Sequence, residues 1–483
     1  MEVSQKPSNV SIPLNRNEWS NAFFFLYVAI GMIFCLVWIG DTSFINDEPL
    51  LLSMALKANL QGDFFTLGLM GTKGLQYGPV PIWFYRFLLM LTHNIYILAF
   101  IKSFVVICAN SLGIYYFFRL FPKWNSHTAM LIFSSPFLWF YTRGLWDNSL
   151  NITIILWGFV AYFYFIKTRH FRWFALTLIF LVMAFQVHLM SLPFIGAIAL
   201  HMCLFCRSEF KKNWKKILIL ALCLSFFMKD YLFYLFTVPQ LSSASHFTAS
   251  LKSFFFPLYG GEFFSLLDFR YFVGKKWFAP IPDYFLSATG WIILLPLYGA
   301  FKSFRSCYKK IRQKSQFELE DHLSLVCLIW FGAFVSLSFL KNLRVDPHYF
   351  NSTWFLYFVL LNIGLNALWH RAWMRKLFFV HAITMFLAVS ALIILLHYRH
   401  GTRSLHYGAT LENQVEIATQ LNQYGNSENW SSTADNPHWF PHAINLLRNL
   451  EPARHIIGQQ KSDSLRVLYA GDNPYDGKIL LVP

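Results

Sequence analysis

Apolar runs long enough to cross a bilayer follow one another along this chain, and that constrains its fold more than any motif does. A spanning helix needs about 20 mostly apolar residues, with roughly 17 as the lower end. Runs of that kind cover 21–40, 95–118, 127–142, 149–166, 173–188, 190–206, 216–237, 284–301, 322–340, 350–369 and 377–396. They predict an all-α polytopic membrane protein with about eleven transmembrane helices. Only 13% of the residues are charged, against roughly 25% in soluble domains. Aromatic residues make up 19% of the chain, including 54 Phe, which suits lipid-facing helices and interfacial belts. The run from Pro79 to Leu91 is apolar but short and interrupted by proline, so it fits an interfacial or re-entrant helix. The first run lacks the short core and cleavage site of a signal peptide and reads as a retained helix.

The formal charge of +16 raises nucleic acid as a partner. Lys and Arg, however, gather in short clusters between apolar runs, where the positive-inside bias puts them. The lipid bilayer is therefore the expected partner, and no nucleic acid. With the N-terminus cytoplasmic and 79–91 not crossing, the loops 119–124, 167–172, 207–216, 302–314 and 370–376 become cytoplasmic, and each is basic. The opposite loops hold Asp41, Asp47, Glu48, Asp63, Asp147, Glu262, Asp268, Asp283 and Asp346. This topology places the protein in a plasma (inner) membrane with its C-terminus outside.

Two domains are expected: a membrane domain over 1–396, with a first external loop at 41–94, and an extracytoplasmic module over 397–483. The module reads as a small α/β unit, helical over 411–424 and 441–450 and strand-like over 465–469 and 478–482. The Phe-rich stretch 240–283, with Gly260-Gly261, fits a loop over a membrane-level groove. Lys229-Asp230 falls late in a run and reads as the interface; otherwise the spans look nearly free of charge. The Cys203-x-x-Cys206 pair lies inside an apolar segment with no second pair to complete a zinc site, and reads as packing. No metal, cofactor or disulfide framework is expected.

The first external loop is the richest in chemistry. It reads Phe44-Ile45-Asn46-Asp47-Glu48-Pro49, then a helical stretch, then Gly62-Asp63-Phe64 and Gln76-Tyr77-Gly78-Pro79. An Asp-Glu pair just past a membrane helix puts carboxylates at headgroup level, where one can accept a proton from an attacking hydroxyl. Spacing alone equally allows Asn46 or Asp47 to cap the helix, with Glu48 and Pro49 in its first turn. Adjacent helical positions face different ways, so Asp47 and Glu48 do not share one role.

Asp-Glu, an amphipathic helix, Gly-Asp-aromatic, Tyr-x-Pro and an aromatic-rich short helix together resemble the first loop of GT-C glycosyltransferases. The lipid A aminoarabinose transferases, the protein O-mannosyltransferases and their bacterial relatives are closest in pattern. That resemblance implies Asp47 as catalytic base, with Asp147 matching an acidic residue of the next external loop. Gln186-Val187-His188 is similar to a Gln-x-His of the bacterial members. Arg344-Val345-Asp346-Pro347-His348-Tyr349 resembles their late outer loop. One departure is that the aminoarabinose transferases carry a Lys near this proline, where Gly78 stands here.

The resemblance implies sugar transfer from a polyprenyl-phosphate donor to a hydroxyl of a glycan, lipid or protein acceptor, with inversion. Glu48, Tyr77, Asp147, His188, His348 and Tyr349 would then bind substrate, and Arg143 or Arg344 the leaving phosphate. A transporter or flippase for lipid-linked sugars is the alternative. It calls for polar residues near the bilayer midplane and broken helices in two related halves.

Overall fold

The computed structural model describes residues 18–45, 47–71, 74–238, 256–259, 289–340, 347–403, 407–424, 430–432, 440–455, 465–470 and 478–482. Arg344 and nearly all of 240–283 lie outside the described residues. The helices are α1 (Glu18–Leu36), α2 (Asp47–Gln61), α3 (Val80–Leu91), α4 (Ile95–Leu120), α5 (Thr128–Phe133), α6 (Pro136–Arg143), α7 (Asn151–Thr168), α8 (Phe171–Val187), α9 (Leu192–Phe205) and α10 (Arg207–Thr237). They continue with α11 (Phe256–Tyr259), α12 (Leu294–Arg312), α13 (Leu319–Leu340), α14 (Trp354–Leu368), α15 (Ala372–Tyr398), α16 (Leu411–Gln423) and α17 (Phe440–Arg448).

Among the described residues, five helices are long and apolar enough to cross a membrane: α4, the Asp147–Thr168 stretch containing α7, α10, α13 and α15. Five more are apolar but shorter, among them α3, α8 and α14. The chain is a multi-pass helical membrane protein. The run 127–142 is not one helix. It divides into α5 and α6 because Pro136 has no amide hydrogen and its ring excludes a continuing helix. The expected basic loops 207–216 and 302–314 are largely helical, as the first turns of α10 and the last turns of α12. As expected, α3 is short, with 12 residues, or about 18 Å at 1.5 Å per residue, well below a bilayer core.

Where helices meet without water to drive them together, close backbone approach does the holding, and small residues permit it. α12 and α14 cross in this way. A Cβ on Gly299 would sit 1.9 Å from the Leu360 carbonyl oxygen, and one on Gly364 would sit 2.1 Å from that of Leu295.

The tail forms α16, α17 and a three-stranded sheet in the order β1 (Trp430–Ser432), β2 (Leu465–Tyr469), β3 (Ile479–Val482). β1 and β2 are parallel, β2 and β3 antiparallel. Among the described residues, this module shares its core with the first loop and α3. Phe44, Leu51 and Leu52 of the first loop, Ile82 and Leu88 of α3, and Leu411, Ile417, Ile444, Val467 and Ile479 of the tail form one buried cluster. Hydrogen bonds sew the two segments together. The Leu411 amide donates to the Thr42 carbonyl at 2.9 Å, the Glu451 amide to that of His93 at 3.1 Å, and the Gln414 side-chain Nε2 to that of Phe44 at 2.9 Å. His397, near the end of α15, bonds the buried Asp41 carboxylate at 2.8 Å.

Gly364→Leu is expected to wedge α12 from α14 and destabilise the bundle by about 1–3 kcal/mol, as overpacking does. Gly332→Leu, where a side chain meets open space, is expected to leave the protein unchanged. Thermal midpoints of both variants in detergent check this; equal midpoints would remove the close crossing as a source of stability.

Candidate active site

At the start of α2 the two adjacent carboxylates take different tasks. Glu48 is buried, and its Oε2 accepts the Ile45 amide at 2.6 Å while the Glu48 amide donates to the Ile45 carbonyl at 3.3 Å. That reciprocal pair is the glutamate half of a capping box, so the capping seen as an alternative for Asn46 or Asp47 involves Glu48. Asp47, half-buried, instead accepts the Trp146 indole N–H on Oδ2 at 3.1 Å. Burial raises the Asp47 pKa above its ordinary value, and the Trp146 hydrogen bond lowers it in part. Burial pushes Glu48 up to about 8. The Ile45 amide and the Lys102 charge oppose that rise, and Asp47 and Asp147 add to it.

Trp146 is presented by the strap that leaves α6. The Trp146 carbonyl accepts the Ser149 hydroxyl at 2.5 Å and the Tyr85 hydroxyl at 3.5 Å. Its ring lies 5.1 Å from that of His348. Asp147 comes next, buried, with Oδ1 accepting the Asn148 amide at 2.7 Å.

The strap runs into a short 3-10 turn, Asp147–Leu150, that meets two others, Leu189–Ser191 and Pro347–Ser352. The Asn351 amide group donates to the Asn148 carbonyl at 3.1 Å, and the Ser352 hydroxyl donates to that of Met190 at 2.8 Å. His188 ends α8 here. Its Nδ1 accepts the Met190 amide at 3.1 Å. In the neutral ring the proton therefore sits on Nε2 and is donated to Tyr77 Oη, 3.0 Å away. The Tyr77 hydroxyl keeps its own hydrogen for a further acceptor. Burial first, then the charges of Asp147, Tyr349 and Asp47, raise the Tyr77 pKa. The His188 ring stands 5.8 Å from His348 and 5.6 Å from Tyr349.

Asp47, Glu48, Tyr77, Asp147, His188, His348 and Tyr349 thus gather at the end of the bundle that carries the first loop. Arg143 stays at that end but faces elsewhere. It is buried, and its guanidinium donates to the carbonyls of Phe34 at 3.4 Å, Val37 at 2.9 Å and Trp38, closing the end of α1. Gly78 is explained by close approach. Its amide donates to Gln186 O at 2.7 Å, and a Cβ there would fall 2.5 Å from the Gln186 Cβ. Any side chain at 78 would push the loop off α8, which accounts for the glycine. Trp146 and the fully buried Lys102 of α4 are not among the residues that the sequence singles out. A lysine inside an apolar run was the available signal for the second; nothing in the sequence pointed Trp146 at Asp47. Among the described residues, no group of three or more His, Cys, Asp or Glu side chains is arranged to hold a metal.

No family model matches the chain. No curated protein matches it. Among solved structures, that of ArnT from Cupriavidus metallidurans bound to undecaprenyl phosphate is similar over 95% of this chain and 98% of that one, at 12% sequence identity and a TM-score of 0.50. At that identity the likeness is one of fold, and the fold of this chain is the GT-C fold.

Proposed function

We propose that this protein is an inner-membrane glycosyltransferase that moves a sugar from a polyprenyl-phosphate carrier to an acceptor hydroxyl on the extracytoplasmic face. One observation carries the proposal. Asp47 is a half-buried carboxylate oriented by an indole donor, set among Tyr77, Asp147, His188, His348 and Tyr349 at one end of an apolar bundle. The solved structure of similar fold holds undecaprenyl phosphate, which supports the class of donor.

In this mechanism Oδ1 of Asp47, the oxygen that the Trp146 indole does not hold, takes the proton of the acceptor hydroxyl as the hydroxyl oxygen attacks the anomeric carbon. Burial gives the carboxylate the basicity that general-base work requires. The glycosidic C–O bond to phosphate breaks as the new C–O bond forms on the opposite face, through an oxocarbenium-like transition state as in glycoside hydrolysis. A single displacement inverts configuration and leaves no covalent enzyme intermediate. The Tyr77 hydroxyl, with its hydrogen available, and His348 hold donor or acceptor oxygens. Arg344 is the arginine proposed for the leaving phosphate, because Nη1 and Nη2 of Arg143 already donate to carbonyls at the end of α1. Glu48 sets the helix start under the base, and Asp147 positions a sugar or acceptor hydroxyl.

The test is transfer by purified protein from a panel of undecaprenyl-phosphate sugars to cell-envelope acceptors. Asp47→Asn keeps the shape and removes the base, so a loss of roughly 10²–10⁴-fold in kcat is expected, with undecaprenyl phosphate binding retained. Equal rates in both proteins would return Asp47 to a structural role. No transfer from any donor, with the carrier-linked sugar moved across vesicles instead, would favour the transporter.

A pH profile checks the environment of the base. Activity needs the ionised carboxylate, so kcat/KM should rise with pH through a midpoint above the ordinary carboxylate range. The Trp146 donor stabilises the charged form, so Trp146→Phe is expected to move that midpoint higher still. A midpoint that does not move would separate Trp146 from the base.

A further inference from the structure

Lys102 is a buried cation to which the proposed chemistry gives no task. It lies two turns into α4, about 10 Å from Ile95 at 1.5 Å per residue, and its side chain is fully buried. The ammonium donates to the carbonyl oxygens of Tyr141 at 3.1 Å and Thr142 at 2.9 Å, and to that of Gly144. Three donations use three N–H bonds, which only the ammonium form carries. The accepting carbonyls are those left over where α6 ends, and a cation there also meets the negative end of the helix dipole.

The strap that serves the site leaves α6 at this point. The Gly144 carbonyl, already held by Lys102, lies 3.2 Å from the Ser149 hydroxyl, whose one hydrogen it shares with the closer Trp146 carbonyl, so the two ends of 144–149 come back to one point. Between those ties stand Trp146, whose indole reaches Asp47, and Asp147. Glu48 lies over the same glycine: a Cβ added to Gly144 would sit 3.4 Å from its Oε1. The Lys102 charge therefore acts on the carboxylate beneath the base and favours its ionised form.

We propose that Lys102 is a positioning residue for sugar transfer, clamping the end of α6 and its strap so that the Trp146 indole meets the Asp47 carboxylate. It touches no substrate and acts through Trp146 and Glu48. The inference rests on the function proposed above, but the clamp itself is measurable without catalysis.

The experiment compares the full-length wild type, Lys102→Met and Trp146→Phe in nanodiscs, by amide hydrogen exchange and by transfer from undecaprenyl-phosphate sugar. Lys102→Met keeps the length of the side chain and removes its donors. Peptides covering 141–149 are expected to exchange about tenfold faster or more, the scale set by losing hydrogen bonds to a charged group, while the middle of α4 stays protected. Turnover should fall about 100-fold, as for a small misplacement of a reacting group, with donor KM unchanged. Trp146→Phe should lower turnover while leaving exchange over 141–149 at the wild-type rate. Should Lys102→Met fail to fold, Lys102→Gln, which keeps a shorter polar donor, is expected to show the same changes to a smaller degree. Wild-type exchange over 141–149 in a folded Lys102 variant overturns the clamp. Faster exchange with unaltered turnover overturns its service to catalysis. If the wild type transfers no sugar, the functional proposal fails, and the exchange comparison still decides the clamp.

Discussion

A backbone carbonyl released at a helix end inside a membrane bundle has no water to turn to, and every such group needs a donor from the protein itself. Much of this structure depends on that requirement. α6 stops at Arg143, where the chain turns into the strap, and the end of α1 is likewise turned back toward the first loop. Each break frees carbonyls, and each set is met by one buried cation: Lys102 for the end of α6, Arg143 for the end of α1. Both are charges in places where charge is costly, and each is offset by several carbonyl oxygens at short range. The irregular backbone that they stabilise is the backbone that carries Trp146, Asp147 and, through the first loop, Asp47.

The neighbouring carboxylates show how position divides labour. Glu48 turns back to the Ile45 amide and becomes part of the helix start. That leaves Asp47, one residue earlier and facing another way, with one oxygen on an indole and the other uncommitted to a capping bond. The His188 ring, fixed by the Met190 amide on one side, donates its Nε2–H in a hydrogen bond to Tyr77 on the other and so sets which way that hydroxyl points. Orientation by a partner is what distinguishes these side chains from the polar residues expected at any membrane interface.

Much of the fold was legible because hydropathy has a long period and survives local error. The runs at 95–118 and 377–396, the short helix before Leu91, and the tail strands at 465–469 and 479–482 all stand close to where patterning puts them. Where patterning misjudged the chain, each case has a physical reason. The run 127–142 is uniformly apolar, so hydropathy cannot see the break that Pro136 imposes. Basic loops counted as connections are continuations of helices, since lysine and arginine are good helix formers once clear of lipid. The site residues of the first loop carried a motif, whereas the Trp146–Asp47 bond joins positions 99 residues apart and leaves no local trace. Lys102 and Arg143 look like strays in an apolar sequence until their carbonyl partners are known.

The common core of the first loop and the tail bears on how the molecule comes into being. Phe44, Leu51 and Leu52 are made well before the side chains that cover them, from Leu411 to Ile479. Contacts of such sequence separation cannot form until the later segment has been made. The helix that bears Asp47 therefore waits, uncovered, until the segment from Leu411 to Ile479 arrives to complete its core. A chain cut short in translation would sit in the membrane with its helices in place and its chemistry unassembled.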